Sequence, residues 1–213
     1  SNDVRALLDV VHPGLYVMTS SLSVYETLSF DMKEEGFDPL AHPLVWCNRE
    51  DYGYNEAKRQ AECALFQAYP GQAGTAVRFP FVIGPDDYTR RLYFYVEHIV
   101  QGLPMHASSL DAQMGFVSSR DAGEFLASLK DGACPGHVNG SNPGTLSLRE
   151  IFAYVREKTG KDAILDAQAE AAPYNGAESY SLSGAYAEKS GYAFAPLGEW
   201  LPSLLDEYIE AAR

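Results

Sequence analysis

The sequence predicts an α/β fold in which a largely parallel sheet is flanked by helices. Short apolar runs with a β bias alternate along the chain with longer segments of helical periodicity. Glycine or proline marks most of the boundaries between them. The chain has 213 residues, of which 46% are hydrophobic and 21% charged, so it can bury a substantial core.

The first half of the chain is predicted to hold two helices and two buried strands around an irregular segment, 26–50. The helix predicted over 3–12 places Val4, Leu7, Leu8 and Val11 at helical spacing, and the helix over 54–69 places Ala57, Ala61, Ala64, Leu65 and Ala68 along one apolar face. The strands are predicted at 15–20 and 75–85. A proline-glycine pair follows each helix and ends it.

The second half continues the alternation. Helices are predicted over 90–101, 121–130, 148–159 and 202–212, and strands over 115–119 and 136–141. Ser147 and Glu150 form a capping-box pattern that opens the third of these helices, and Gly160 ends it. Strands that alternate with helices in this way indicate a parallel sheet.

Charge and composition narrow the classes of partner. Sixteen basic residues stand against 29 acidic ones, for a formal charge of −13, which argues against a nucleic-acid partner. No apolar run approaches the length of a membrane span. The three cysteines are dispersed and the five histidines have no metal spacing, so we expect no metal site and a reducing, cytoplasmic compartment.

The stretch "YGYNEAKRQAE" contains a possible catalytic pair. Tyr54 and Lys58 are four residues apart and would share one face of a helix. A free tyrosine is a poor base at pH 7, but an ammonium about 4 Å away stabilises a phenolate by about 4 kcal/mol at an effective dielectric of 20. Such a phenol can exchange a proton with a carbinol. The alternative from these residues alone is an exposed pair on a helix surface.

A run of hydroxyl groups precedes this pair. In "YVMTSSLSVYE" a predicted strand ends in Thr19, Ser20, Ser21 and Ser23. Open α/β sheets bind their ligands at the carboxyl ends of their strands, so a serine here could hydrogen-bond the same substrate oxygen as Tyr54. The alternative is that these hydroxyls only satisfy a turn.

Taken in order, these motifs resemble the extended short-chain dehydrogenase/reductase family, in its NAD-dependent epimerase/dehydratase branch. The family pattern is SS-S/T-x-x-VYG, then YxxxK, then R-P/F-x-x-VYGP, and this chain has "TSSLSVYE", "YNEAK" and "RFPFVIGP". "GFVSSRDAGEFL", "HVNGSNPGTLSLREIFAYVREKTGK" and "AEKSGYAFAPLGEWLPSLLDEY" are similar to later family segments. The chain departs from the pattern at Glu26, where the family has Gly, and at Ile83, where it has Tyr.

The resemblance implies roles for particular residues. Ser21 would be the catalytic hydroxyl, Tyr54 the proton donor and acceptor, and Lys58 the residue that holds the nicotinamide ribose. Cofactor contacts are implied for Thr19, Ser20, Phe79, Pro80, Phe81 and Val82, beside Tyr54 and Lys58, with NAD or NADP as the cofactor. From the sequence alone, Arg90 and Arg91 could bind a substrate phosphate, or they could simply lie at the start of a solvent-exposed helix.

The family also begins with a strand, a GxxGxxG turn and a helix that binds the dinucleotide pyrophosphate, and this motif is absent here. Roughly 80–100 residues would be missing if three βα units of about 30 residues are gone. The sequence could be the retained portion of a longer protein, one of two chains, or a homologue that no longer binds cofactor. We favour the first, and expect the isolated chain to bind NAD(P)H weakly or not at all.

The resemblance therefore predicts a partial Rossmann-like parallel sheet from residues 1–84 and 113–141, with a smaller α/β substrate-binding lobe from 85–112 and 142–213. The expected activity is that of an epimerase/dehydratase-type oxidoreductase acting on a nucleotide-sugar-like substrate. The alternatives are a reductase or dehydrogenase of a small non-sugar carbonyl, and a non-catalytic homologue with a regulatory or binding role. By the same resemblance we expect a homodimer formed through helices 3–12 and 54–69.

Overall fold

The computed structural model describes residues 1–213 and has a three-stranded parallel sheet at its centre. The strands are β1 (Tyr16–Ser21), β2 (Gly74–Phe79) and β6 (Gly136–Asn139), in the order β1-β2-β6. Tyr16 pairs with Gly74 and Ser21 with Phe79, so β1 and β2 end side by side. Both strands therefore deliver their carboxyl ends to the same edge of the sheet.

Two parallel strand pairs lie beyond this sheet. β3 (Phe81–Ile83) pairs with β5 (Phe116–Ser118), and β4 (Pro104–Met105) pairs with β7 (Ile164–Leu165). The predicted strand over 75–85 is thus two strands, because Pro80 has no N–H to continue the first ladder. The short strands β4 and β7 carry too few residues for a period to be recognised in the sequence.

The helices are α1 (Asn2–Leu8), α2 (Tyr54–Cys63), α3 (Arg91–Gln101), α4 (Ser119–Ser128), α5 (Leu148–Thr159), α6 (Ala185–Lys189) and α7 (Leu197–Ala212). A π-helical turn, Ala64–Ala68, extends α2 almost to the predicted end. Gly102 and Gly160 end α3 and α5 in the left-handed conformation, and the capping box of Ser147 with Glu150 is present. None of these helices is both long and apolar enough to cross a membrane.

Three predicted helices have other boundaries in the structure, the smallest difference being that of α4, which spans Ser119–Ser128 rather than 121–130. Helix α1 stops at Leu8 rather than at residue 12, because Val10 and Val11 are exposed and gain no burial from a further turn. Helix α7 begins five residues earlier than predicted, at Leu197, and contains Pro202 in its interior. The buried side chains of Leu197 and Leu201 stabilise its first turn.

The sheet is covered differently on its two faces. Phe125 of α4 and Leu129, which directly follows α4, pack on Val77 and Phe79 in an apolar layer. The other face meets α2, whose buried side includes Gln60, Glu62 and Cys63. The predicted alanine stripe coincides only in part with this buried side, since Ala57 and Ala61 are half-buried and Ala68 is exposed. The largest apolar cluster lies elsewhere, around α3, α5 and α7.

Candidate functional site

A cleft of about 880 Å³ opens at the carboxyl ends of β1 and β2. Ten of the eleven predicted site residues line it: Thr19, Ser20, Ser21, Tyr54, Lys58, Phe79, Pro80, Phe81, Val82 and Arg91. They come from the end of β1, the first turns of α2, the β2–β3 junction and the start of α3. The structure therefore brings together residues that lie as far as 72 positions apart in the sequence.

Tyr54 and Lys58 lie on the same face of α2, as their spacing predicts. Tyr54 is the first residue of the helix and its side chain is about half exposed (52%). The Lys58 Nζ atom lies 5.8 Å from the centroid of the Tyr54 ring and donates a hydrogen bond to the carbonyl oxygen of Thr19, at 3.0 Å. An ammonium has three donors, so two remain for a ligand in the cleft.

Three serines at the end of β1 have different environments. The Ser21 Oγ atom accepts a hydrogen bond from the backbone N–H of Ser23 (3.2 Å), which leaves its own O–H free to donate. The Ser20 hydroxyl donates to Glu62 Oε1 at 2.5 Å and is therefore already engaged. The Ser23 Oγ atom is buried and has no hydrogen-bond partner. Ser21 is the hydroxyl best placed to donate to a substrate oxygen.

A buried ion pair that the sequence analysis did not identify lies behind these serines. Arg78 of β2 and Glu62 of α2 are both fully buried and their side chains approach to 2.7 Å. Burial disfavours the charged form of Arg78, but its hydrogen bonds and charge interaction with Glu62 outweigh this and raise its pKa. The pair could not be found by spacing, because it joins a helix to a strand.

The segment after β2 gives the cleft an aromatic wall. Phe79 is buried, and Pro80 separates it from Phe81. The ring centroid of Phe81 lies 4.7 Å from that of Tyr174, and the guanidinium carbon of Arg91 lies 5.0 Å from the Phe81 ring. This segment can present a flat apolar surface to a planar ligand.

The two neighbouring arginines point to different places. Arg91 lines the cleft and donates from Nε to Thr89 Oγ1 at 3.0 Å. Arg90 instead lines a separate cavity of about 360 Å³, where its guanidinium lies 4.0 Å from the Tyr93 ring and 3.6 Å from Glu97 Oε1. The structure thus brings Arg91 to the predicted site but not Arg90.

The lining of the cleft contains more acidic than basic side chains. Its four carboxylates are those of Glu26, Asp86, Asp87 and Glu178, and its cationic side chains are those of Lys58 and Arg91. Asp86 accepts a hydrogen bond from the Ser119 hydroxyl (2.5 Å), while the buried Oδ2 atom of Asp87 has no partner. Sequence reasoning missed this acidic wall, although the "GPDDYT" stretch contains half of it.

No protein-family model matches the chain, and no curated protein matches it by sequence. Solved structures do match. MoeE5, solved with UDP-glucuronic acid and NAD, is 22% identical, with a TM-score of 0.72 over 99% of this chain and 69% of MoeE5. UDP-glucuronic acid 4-epimerase from Bacillus cereus, solved with UDP-glucuronic acid and NAD, is 17% identical, with a TM-score of 0.72 over 99% of this chain and 65% of the epimerase.

A third match is UDP-glucose 4-epimerase from Thermotoga maritima, solved with UDP-glucose. It is 17% identical, with a TM-score of 0.70 over 94% of this chain and 65% of the epimerase. The chain thus spans about two thirds of the length of these structures. Similarity at this level of identity shows the fold, and it confirms the predicted partial Rossmann-like α/β architecture.

Proposed function

We propose that this chain provides the catalytic cleft of an NAD(P)-dependent oxidoreductase of the epimerase/dehydratase type. The observation that carries the proposal is that Ser21, Tyr54 and Lys58 line one cleft at the carboxyl ends of β1 and β2. This is where open parallel sheets bind their ligands. NAD-bound nucleotide-sugar enzymes of the same fold support the proposal by analogy.

The residues present fit a nicotinamide cofactor on one side of the cleft. The two uncommitted donors of the Lys58 ammonium would bind ribose hydroxyls, and the Phe79–Val82 segment would lie against the planar ring. Thr19 and the backbone of Ser20 would complete this side, since the Ser20 hydroxyl is held by Glu62. When bound, the cofactor accepts or supplies a hydride.

The chain's own residues would then transfer the proton. The exposed Tyr54 phenol would accept a proton from a carbinol, or donate one to a carbonyl, while Ser21 donates a hydrogen bond to the same oxygen. Lys58 would stabilise the phenolate through its nearby positive charge. Its hydrogen bond to Thr19 holds the ammonium beside Tyr54.

Two substrate classes remain candidates within this function. A nucleotide-sugar-like substrate is favoured by the enzymes that share the fold, and Arg91 would be its phosphate contact. A small, non-sugar carbonyl substrate is favoured by the charge of the cleft, because Glu26, Asp86, Asp87 and Glu178 would repel a diphosphate. In either case the segments 85–112 and 142–213 would form the substrate-binding lobe.

A cofactor titration of the full-length protein tests the proposal against a non-catalytic, regulatory role. We expect NADH or NADPH to bind with micromolar affinity, measured by calorimetry, and Lys58→Met to weaken binding at least tenfold because it removes the ribose donors. Lys33→Met is a matched control, since Lys33 lies outside the cleft. Absence of binding by both cofactors would favour the non-catalytic alternative.

We also propose a homodimer formed by α1 and the α2 region, in a cytoplasmic protein. Leu7, Val10 and Val11 expose apolar surface beside α1, and the half-buried Ala57 and Ala61 leave room for close approach of a second helix. The three buried, unpaired cysteines suit a reducing compartment. Light scattering tests the assembly, and a monomer mass over a wide concentration range would refute the dimer.

A further inference from the structure

Glu62 occupies a particular place relative to the proposed catalytic residues. It lies one helical turn beyond Lys58 and two turns beyond Tyr54 on α2, so it moves with them as one rigid element. Its fully buried carboxylate accepts a hydrogen bond from the Ser20 hydroxyl, at 2.5 Å. Ser20 is the neighbour of Ser21, so this contact ties α2 to the strand end that carries the third catalytic residue.

Arg78 donates further hydrogen bonds to the same carboxylate. Its Nη2 and Nε atoms donate to Glu62 at 2.7 and 3.1 Å. The remaining donors go to the Tyr25 hydroxyl (3.3 Å) and to the carbonyl oxygens of Glu34 (2.8 Å) and Phe37 (2.9 Å). The guanidinium therefore joins β2 to α2 and to the chain that follows β1.

Apolar packing does not hold this end of α2 against β1. Ala64 and Leu65 pack with Tyr16 and Met18, near the amino end of the strand. At the carboxyl end the links are polar: the Glu62–Ser20 contact, the Lys58 bond to Thr19, and a bond from Arg59 Nε to the Val24 carbonyl (2.8 Å). Of these, the link through Glu62 is the fully buried one.

We propose that Glu62 and Arg78 are positioning residues that set the separation of Ser21 from Tyr54 and Lys58, which deepens the function proposed above and depends on it. Hydride and proton transfer to one substrate carbon and its oxygen need all three side chains in a narrow geometry. A buried ion pair is a weak source of net stability, because desolvation offsets its attraction. An apolar pair of similar volume would fill the same space, but it could not accept from the Ser20 hydroxyl or donate to the Glu34 and Phe37 carbonyls.

The double variant Glu62→Leu/Arg78→Met in the full-length protein separates positioning from stability. We expect a lowered thermal midpoint, because the Glu34 and Phe37 carbonyls lose their donor, but still a cooperative unfolding transition. Cofactor Kd and substrate KM should stay within about threefold, and kcat should fall by about 100-fold, the loss expected from a small misplacement of reacting groups. A kcat within threefold of wild type, in a folded double variant, would overturn the proposal.

Gln60→Leu is the matched control on the same helix. Gln60 is also buried, but it bonds to Val45 N–H and the Pro43 carbonyl rather than to β1. We expect it to lower the thermal midpoint with kcat within threefold of wild type.

If the double variant does not fold, the variant Ser20→Ala tests the proposal instead. Its kcat should fall about tenfold at unchanged KM, and an unchanged kcat would contradict the link through Ser20.

Hydrogen exchange provides a readout that needs no turnover. In the double variant, amide exchange over 19–24 should accelerate at least tenfold, while exchange in α5 and α7 stays as in wild type. Unchanged exchange over 19–24 would refute the positioning role. Absence of turnover in wild type would instead refute the proposed function, and the exchange experiment would still show whether Glu62 and Arg78 hold the strand end.

Discussion

The two walls of the cleft are built in contrasting ways. On the wall formed by β1 and α2, Ser20, Glu62 and Arg78 are buried and every donor of the arginine is used. On the second wall, formed by residues 86–89, Arg91 and Glu178, Tyr88 is 94% exposed and a buried oxygen of Asp87 has no partner. Behind its ligand-facing groups the first wall is fixed by a buried ion pair, whereas the Asp86–Ser119 and Asp87–Thr89 hydrogen bonds of the second wall are exposed.

This contrast indicates a division of roles. Catalytic groups must be held within a narrow geometry, and the buried bonds among Ser20, Glu62 and Arg78 hold the elements that carry them. A substrate-recognition wall gains affinity from groups that become paired only when the ligand binds. Arg90, at the start of α3, has a positive φ of 51°, a conformation that costs roughly 1–2 kcal/mol for a residue other than glycine. This conformational cost is thus located between Thr89 and Arg91 of the second wall.

The largest expected effect comes from the catalytic wall. Tyr54→Phe should lower kcat by about 10²–10⁴-fold, because it removes the proton donor and acceptor. The Tyr54 hydroxyl makes no hydrogen bond within the protein, so the thermal midpoint should stay near that of wild type. Steady-state kinetics and thermal denaturation test both parts, with Tyr52→Phe, two residues earlier, as the control. Full activity in Tyr54→Phe would refute the assigned role.

The acidic wall should act through binding rather than through chemistry. The double variant Asp87→Asn/Glu178→Gln should strengthen binding of UDP-glucose by about two- to tenfold, since each charge in an open, solvated cleft contributes about 1 kcal/mol or less. Calorimetry at low salt measures the change. Asp111→Asn is the control, because that exposed carboxylate pairs with Arg149 away from the cleft.

Tight binding of UDP-glucose by wild type, with no change in the double variant, would contradict the repulsion argument. It would also remove the support for a small, uncharged carbonyl substrate over a nucleotide sugar. An increase in affinity that also occurs in Asp111→Asn would reflect the overall charge of −13 rather than the cleft.

Gly84 tests how closely the chain packs just before the second wall. A Cβ atom at this position would lie 2.1 Å from the Ser119 Oγ atom and 2.9 Å from Asp86 Oδ1. Gly84→Ala should therefore destabilise the protein by about 1–3 kcal/mol through overpacking, measured by urea unfolding. Ser119→Gly in the same background should recover part of the loss. Gly123→Ala, whose Cβ would meet nothing within 4 Å, should not destabilise.

The last prediction concerns the pH dependence of stability and Glu56 on α2. Burial opposes ionisation of Glu56, but hydrogen bonds from Gln60, His42 and Arg59 outweigh it and lower the pKa of this carboxylate to about 2. Because the folded-state pKa is depressed, the stabilisation is present above pH 4.5 and is lost as the pH falls towards 2. We expect a loss of about 1–3 kcal/mol over this range.

Urea unfolding between pH 2 and pH 6 measures this dependence. Glu56→Gln should flatten the stability profile in that window, since the variant keeps a polar side chain but has no titrating carboxylate. Glu157→Gln on α5 is a matched control, because Glu157 is exposed and no side chain bonds to it. Equal slopes for wild type and Glu56→Gln would show that other carboxylates cause the acid sensitivity.

The sequence by itself determined the features that depend on local spacing. The interval of four residues places Tyr54 and Lys58 on one helix face, and the run of hydroxyls after an apolar strand places Ser21 at the carboxyl edge of the sheet. The capping box of Ser147 and Glu150 follows from its interval of three. In each case backbone geometry alone relates the residues, so no knowledge of packing is needed.

Only the tertiary structure decided the features that join distant elements. Glu62 and Arg78 pair across the boundary between helix and strand, and Arg90 and Arg91, adjacent in sequence, diverge into separate cavities. The buried side of α2 also contains charged Glu62, because a carboxylate is stable there only when Arg78 and Ser20 lie opposite it. Such pairings depend on how whole elements pack, and short-range periodicity carries no information about that packing.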